Sequence, residues 1–171
     1  MIENTVYFKI RPSQLLNLET FLFTLLAVPV ILFMDELLKQ HFPIPFLSET
    51  IINHIYRLPA YLAAAVLLNL AYRVLRVYCI RYEIDPEELK IYSGIFRRKH
   101  EYVETYRIKD YRIERPLIYR FFGMGNLILY TSDKTTPVIR LEAIKNPEEK
   151  YKILRGLVEI SRREKHVFEV D

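Results

Sequence analysis

This chain has few of the residues that build disulfides, metal sites and phosphate-binding loops. It contains one cysteine, four glycines and no tryptophan in 171 residues. The single cysteine, Cys79, excludes an internal disulfide and a cysteine-rich metal site, and we expect it to be a small buried apolar residue. The four histidines are scattered without the spacing of metal ligands. We therefore expect no metal and no cofactor.

Catalytic motifs are lacking as well. No serine, cysteine or threonine stands in a recognisable nucleophile motif. Gly123-Met124-Gly125 is a fragment of a glycine-rich loop, but the Lys-Ser or Lys-Thr that Walker-type phosphate binding requires does not follow it. The C-terminal cap of a short helix explains Gly123 equally well. We expect that the protein is not an enzyme.

The excess of positive charge is small. A net charge of +4 favours an anionic membrane surface but is too low to indicate a nucleic-acid-binding protein. The stretch Arg97–Arg120 interleaves basic residues with tyrosines, a composition that can stack single-stranded nucleic acid. Glu101, Glu104, Asp110 and Glu114 dilute its charge, and alternation along strands explains the pattern. No nucleic-acid partner is expected.

Two long apolar runs lie near the N-terminus. Phe21–Met34 has fourteen residues without a charge, and Leu58–Leu68 follows a short proline-containing link. A spanning helix needs about 20 mostly apolar residues. The sequence predicts a transmembrane hairpin over 15–77, with helices at about 15–38 and 51–77 and an external link at 39–50. The alternatives are a soluble hairpin packed on the rest of the chain and a hairpin lying in one leaflet.

The basic residues near the ends of the hairpin predict its orientation. Lys9 and Arg11 precede the first helix, and three arginines follow the second, whereas the link has Lys39 alone among several acidic residues. Because loops rich in lysine and arginine stay in the cytoplasm, we expect a two-pass protein with both termini cytoplasmic. Residues 1–14 are then a cytoplasmic segment, and no cleavable signal peptide is expected.

The chain from residue 78 onward has the pattern of a small strand domain. Apolar and charged residues alternate over residues 80–85, which predicts a half-buried strand. The expected elements that follow are a turn at Asp85–Glu88, a strand at about Phe96–Val103, a bulge at Lys109-Asp110, and a strand pair at Asn126–Thr131 and Pro137–Leu141. The fold class is α+β, with an antiparallel barrel or sandwich over 78–165 and a tail at 166–171.

One helix is predicted at the end of this domain, at about 147–163. Asn146 is a suitable N-cap, Pro147 suits the first helical position, and Glu148 and Glu149 complement the helix N-terminus. Apolar residues then recur on one face as far as Ile160. We expect this helix to cover one open end of the barrel or sandwich.

Several motifs resemble those of the bacterial pleckstrin-homology (PH) domains of membrane-flanked proteins. The matching stretches are Arg11-Pro12-Ser13, Arg81–Ile84, Leu89–Phe96, Arg107–Tyr111, Pro116–Leu127 and the helix start at Asn146–Glu149. The resemblance implies a two-helix anchor followed by a PH-like domain at the inner membrane. It brings no catalytic residues, and it specifies a fold rather than an activity.

The expected function is therefore that of a membrane-anchored binding or scaffold module. Its expected partners are membrane lipids, other membrane or cytoplasmic proteins, and further copies of itself. Candidate protein contacts are Arg97, Arg98, Arg112, Arg115 and Tyr119. The alternative is anionic-lipid sensing by basic residues near the second helix, namely Arg73, Arg76, Arg81, Arg97, Arg98 and Lys99. The acidic turn Asp85–Glu88 argues against a phosphoinositide pocket.

Overall fold

The computed structural model describes residues 8–41 and 49–166. These residues fall into two compact units. One is Asn17–Leu75, and the other combines the chain before residue 17 with the chain from Arg76 onward. Most of the predicted link and all but the first residue of the predicted tail lie outside the described residues, as do the first seven residues of the chain.

The first unit is a pair of long helices. Helix α1 is Leu18–His41, preceded by a 3-10 turn at Gln14–Asn17, and helix α2 is Glu49–Tyr78, whose last turn belongs to the second unit. The side-chain amide of Asn17 donates a hydrogen bond to the carbonyl oxygen of Arg73 at 3.2 Å. Both helices were predicted to within a few residues.

The surface of this helical unit is unusually apolar. Thr24 and Ala63 are buried, but most large apolar side chains are exposed, Leu25, Leu26 and Leu68 among them. The stretches Gln14–Met34 and Asn53–Tyr78, of 21 and 26 residues, are long and apolar enough to cross a membrane. Only 11% of the residues in each are buried within the structure.

The second unit is built from two antiparallel sheets. In its described part, β1, β2, β3 and β4 form a four-stranded sheet in that order, and β5, β6 and β7 form a three-stranded sheet. The strands are β1 Phe8–Ile10, β2 Arg81–Ile84, β3 Glu88–Ser93, β4 Lys99–Glu104, β5 Ile108–Glu114, β6 Met124–Thr131 and β7 Val138–Lys145. Helix α3 is Leu117–Phe121 and helix α4 is Pro147–Glu164.

The first strand precedes the helical hairpin in sequence, whereas the strand it pairs with follows the hairpin. Strand β1 pairs with β2, so that Ile10 faces Tyr82 across the ladder, and Ile10 is buried in the core. After β1 the backbone N–H of Ser13 donates to the carbonyl oxygen of Ala143 in β7 at 3.0 Å. Residues 1–14 were expected to lie outside the domain, so this strand was not predicted.

The two sheets pack as a sandwich, and no closed barrel is seen in the part of the chain that the structure describes. The chain passes from β4 to β5 through a 3-10 turn at Thr105–Arg107, and each strand pairs only within its own sheet. This corrects the barrel alternative. The core collects Ile84, Leu89 and Val103 from the first sheet, Leu127, Leu129 and Leu141 from the second, and Leu154, Leu157 and Val158 from α4.

Helix α4 was predicted almost to the residue, but its N-cap works differently. Asn146 occupies the cap position in a left-handed conformation with φ 50°, and its side chain makes no capping hydrogen bond. Its backbone carbonyl accepts from the N–H of Glu149 at 3.1 Å. At the other end of the helix the Arg162 guanidinium donates to the carbonyl oxygen of Ile108 at 2.7 Å, which ties α4 to β5.

The predicted bulge and the predicted turn are confirmed, and one predicted strand boundary is wrong. The ladder between β5 and β6 shifts register between Ile108 and Asp110, where the bulge was expected. The turn at Asp85–Glu88 closes through the backbone N–H of Glu88, which donates to the Asp85 carboxylate at 2.6 Å. The predicted strand at 96–103 begins only at Lys99, because the chain turns at Gly94 and leaves Phe96 in a loop.

Candidate docking surfaces

One end of the four-stranded sheet carries a row of aromatic and basic side chains. Arg81, Tyr92 and His100 lie opposite one another on β2, β3 and β4. The Arg81 guanidinium stands 5.3 Å from the centre of the Tyr92 ring, and the ring of His100 meets that of Tyr92 edge-on at 4.9 Å. Partial burial raises the pKa of the Tyr92 phenol, and the nearby Glu83 carboxylate raises it further. We call this end of the sheet the loop end.

The loop between β3 and β4 projects from the loop end. It has Phe96 at its tip, 92% exposed, followed by the exposed Arg97 and Arg98. Gly94 fixes its shape with φ 98°, and a Cβ there would overlap the carbonyl oxygen of Arg97. The loop therefore has a glycine-dependent conformation that presents one aromatic ring and two cations to solvent.

Two of the other basic residues proposed at this end already form ion pairs within the domain, which leaves them less able to bind an anionic partner. Arg81 lies 3.7 Å from the Glu83 carboxylate, which also pairs with Lys9 at 3.1 Å. Lys99 forms an ion pair with Glu101. Arg73 and Arg76 are exposed on α2, but Arg73 belongs to the helical unit and Arg76 to the strand unit. The structure therefore brings Arg81, Arg97, Arg98 and Lys99 to one end of one sheet.

The remaining candidates lie on the other sheet, around α3. Arg112 on β5 stacks over the Tyr130 ring at 5.7 Å. Arg115, just after β5, forms an ion pair with Glu148 at the start of α4. Tyr119 is half-buried on α3. Tyr119 lies on α3 and Arg115 just before it, whereas Arg112 contacts Tyr130 of β6. The predicted contact residues therefore belong to separate surfaces.

Helix α3 exposes an apolar patch that the sequence analysis did not select. The side chains of Leu117, Ile118, Phe121 and Phe122 are all exposed, with Leu117 at 71% and Phe121 at 87%. We call these four residues the α3 patch. A signal for it was present in the sequence, because four large apolar residues among six exceed what one face of so short a helix can bury.

The backbone under α3 is tightly packed. Gly123 ends the helix with φ 63°, and its N–H donates to the carbonyl oxygen of Arg120 at 3.2 Å, as the predicted C-cap requires. A Cβ on Gly125 would lie 2.9 Å from the Cγ of Arg115 and 3.0 Å from that of Pro147. The chain that follows α3 therefore packs closely against Arg115 and the start of α4.

A groove between the two sheets lies near the loop end. Its lining includes Ile80, Ile91, Pro137 and Tyr82. The Tyr82 hydroxyl donates to the carbonyl oxygen of Arg140 at 3.4 Å, and burial raises the pKa of Tyr82 to about 12. The lining also includes Ser93, Glu101, Thr135 and Thr136, and the hydroxyls of both threonines donate to the Asp133 carboxylate.

Metal-binding groups do not cluster in residues 8–41 and 49–166. No set of three or more histidine, cysteine, aspartate or glutamate side chains there is arranged to hold an ion. Cys79 is half-buried rather than fully buried and forms no disulfide. The prediction that it is a small buried residue is therefore wrong in its degree of burial.

Two packed antiparallel sheets with a helix at the C-terminus are consistent with a PH-like fold, here joined to a helical hairpin. A family model described as bacterial PH domain matches residues 21–158, which include most of the hairpin, α3 and part of α4. The chain belongs to the bacterial PH domain family. This membership indicates a binding or scaffold module. Comparisons with curated proteins and with solved structures give no match.

Proposed function

We propose that this protein is a membrane-anchored, non-catalytic PH-like module that docks a protein partner, or another copy of itself, at the cytoplasmic face of a bacterial inner membrane. The observation that carries the proposal is the α3 patch. It presents four large apolar side chains on the surface of a domain whose core is otherwise well filled.

Anchoring is supported by the surface of the helical unit. Its two membrane-length stretches keep nearly nine-tenths of their residues unburied, so that packing within the structure does not account for their apolar character. A soluble protein rarely exposes so large an apolar area. The bilayer is the environment in which such helices are stable.

The pairing of β1 with β2 supports a two-pass arrangement. These strands precede and follow the hairpin, and they lie side by side in one sheet. A chain that leaves a sheet and returns to it must cross a membrane an even number of times. Together with the basic residues at both hairpin ends, this favours two crossings with the strand domain in the cytoplasm.

Docking at the α3 patch is supported by its composition. Aromatic and arginine residues are enriched at the centre of protein interfaces, where they contribute most of the binding energy. Phe121 and Phe122 supply the aromatic rings. Arg115, whose carbonyl oxygen accepts a hydrogen bond from the Arg120 side chain of α3 at 3.1 Å, is already held by Glu148. Side chains held in this way lose little conformational freedom on binding.

The test replaces Leu117 and Phe121 by serine in the full-length chain, purified in detergent. We expect the complex with partner or self to weaken by at least about 30-fold, since a central apolar contact contributes roughly 2 kcal/mol or more. Sedimentation measures self-association, and cross-linking in membranes followed by mass spectrometry identifies a partner. Ile160→Ser, which removes an exposed apolar residue from α4, is the matched control.

The two variants should fold equally well, which far-UV circular dichroism checks. If the double variant keeps the same complex as the unaltered chain, docking at α3 is wrong. If both variants lose the complex equally, the surface used is not specific to α3 and the proposal fails as well.

A second candidate function is anionic-lipid sensing, and Arg97 and Arg98 favour it. Both are exposed and have no ion-pair partner within the described part of the chain. The test is vesicle flotation of a soluble variant in which a flexible segment replaces residues 14–75. Binding that requires anionic lipid and falls as salt rises supports sensing, because screening weakens exposed charges. Indifference to lipid supports docking of protein alone.

A further inference from the structure

The position of the β3–β4 loop follows from the register of the strands. Ile10 pairs with Tyr82, and Arg81 pairs with Tyr92. The end of β1, which leads into the hairpin, and the start of β2, which follows it, therefore lie at the loop end. Ser93 and Lys99, the last residue of β3 and the first of β4, are paired there too. The tip of the loop thus projects beyond the end of the sheet at which the chain enters and leaves the hairpin.

A second contact keeps the two hairpin connections together. The Arg11 guanidinium, one residue past β1, lies 5.6 Å from the centre of the Tyr78 ring at the end of α2. Both residues belong to the strand unit. If the hairpin crosses a bilayer, both crossings then begin close to the loop end, and the bilayer surface is within reach of the loop.

The chemistry of the loop suits a lipid–water interface. Phe96 is the most exposed large apolar side chain among the described residues. A fully exposed phenyl ring gains nothing from water, whereas aromatic side chains are stable at the level of the headgroups. Arg97 and Arg98 follow it directly, without ion-pair partners in the described chain, and anionic headgroups attract such residues.

Three of the other basic residues at this end are paired and do not offer a headgroup pocket. Glu83 pairs with Lys9 and Arg81, and Glu101 pairs with Lys99. Arg97 and Arg98, at the tip of the loop next to the phenyl ring, take part in none of these ion pairs. This arrangement fits insertion into an anionic surface better than recognition of one particular phosphorylated headgroup.

We propose that the β3–β4 loop is a membrane wedge: Phe96 inserts into the interface of an anionic bilayer while Arg97 and Arg98 contact the headgroups beside it. This inference rests on the proposed anchoring of the hairpin. The loop is a third point of attachment besides the two helices, and it keeps the loop end of the strand domain facing the bilayer. Docking at α3 is a separate claim, carried by a different surface.

The lack of tryptophan in the chain provides a direct test. Phe96→Trp places a single tryptophan at the tip, and it is excited at a wavelength at which tyrosine does not absorb. The full-length variant is reconstituted into phosphatidylcholine–phosphatidylglycerol vesicles with and without brominated acyl chains. The matched control is Glu87→Trp, in the exposed turn between β2 and β3 at the opposite end of the same sheet.

We expect the tryptophan emission of Phe96→Trp to shift to shorter wavelength and to be quenched by the brominated lipid, while that of Glu87→Trp shows neither effect. Replacing both arginines by serine in the Phe96→Trp chain should lower the ratio of inserted to free loop by roughly fivefold for each charge. High salt should act in the same direction. In the unaltered chain, amide hydrogen exchange over residues 94–98 should be slower in anionic than in neutral vesicles.

The outcomes separate this inference from the proposed anchoring. If alkaline carbonate removes the protein from vesicles, anchoring is wrong and the wedge is wrong with it. If the protein is retained but the tryptophan of Phe96→Trp shows the same emission wavelength and the same lack of quenching as that of Glu87→Trp, the wedge is wrong and anchoring stands. A shift to shorter wavelength without quenching by brominated lipid means that the loop tip is covered by protein, a second copy included, and this also overturns the proposal.

Discussion

Replacing Ile10 by alanine should destabilise the strand domain, although the whole hairpin separates Ile10 from its partner strand in sequence. Ile10 is 7% exposed and belongs to the core cluster through its pairing with Tyr82 on β2. Buried Ile→Ala substitutions cost about 2–5 kcal/mol. Since β1 is a short edge strand that can relax, we expect about 2–3 kcal/mol. For a domain of this size that lowers Tm by on the order of 10–20 °C.

The control for this prediction is the neighbouring residue on the same strand. The Lys9 ammonium lies 3.1 Å from the Glu83 carboxylate, but 58% of the lysine side chain is exposed. Exposed ion pairs contribute less than about 1 kcal/mol. Lys9→Ala should therefore leave stability almost unchanged while disturbing the same three-residue strand.

The measurement uses the soluble variant in which about ten glycine and serine residues replace residues 14–75. A flexible segment of that length spans about 17 Å, and the contact between Arg11 and Tyr78 keeps its two attachment points close. Urea titration followed by far-UV circular dichroism gives the free energy of unfolding. The full chain in detergent gives a second readout, since amide exchange along β2 should accelerate in Ile10→Ala.

The proposed contribution of Ile10 to the core is wrong if Ile10→Ala and Lys9→Ala behave alike in both readouts. The same holds if removing residues 1–13 from the soluble variant leaves its stability unchanged. Either result would mean that β1 does not belong to the folded domain, and the support that its pairing gives to a two-pass arrangement would be lost.

Two further predictions concern the strand domain. Gly125→Ala should cost about 1–3 kcal/mol, because its new methyl group meets Arg115 and Pro147, whereas Gly156→Ala on α4 has open space and should stabilise by about 0.5–1 kcal/mol. Thermal unfolding measures both, and equal effects would contradict the packing described. Because the pKa of Tyr82 is about 12 when folded and about 10 when unfolded, its contribution to stability is complete below about pH 10 and is lost as the pH rises toward 12. Tyr82→Phe should flatten this alkaline loss, as urea titrations at about pH 9 and about pH 11 will show, and an unchanged slope would refute it.

Much of the local structure could be predicted because it depends on short-range patterns. The two long apolar runs predicted α1 and α2, and the acidic start with its proline predicted α4 to within a residue. The bulge near Asp110 was predicted because the apolar residues before and after it would lie on opposite faces of a regular strand, so the strand must be interrupted there. These features are decided by residues that lie within a few positions of one another.

The predicted site was less accurate, because it mixed two surfaces and missed their apolar parts. Arg97 and Arg98 were selected for their charge, but Phe96 was assigned to a strand, since its exposure depends on the turn that Gly94 makes. Leu117 and Phe121 were treated as ordinary helix residues. The density of apolar residues at 117–122 indicated that some of them are exposed, but which side chains are buried depends on what packs against them, and a local pattern does not contain that information.

Length, hydropathy and alternation, which are properties of contiguous residues, were sufficient to predict a helical hairpin of membrane length and a strand domain, and the resemblance of its motifs assigned that domain to the bacterial PH family. The folded chain was needed to show that residues 8–10 complete the first sheet across the hairpin, that the sheets form a sandwich, and that Phe96 and the α3 patch face outward. Strand pairing and burial join residues far apart in the chain, and their energies depend on partners that no local window includes.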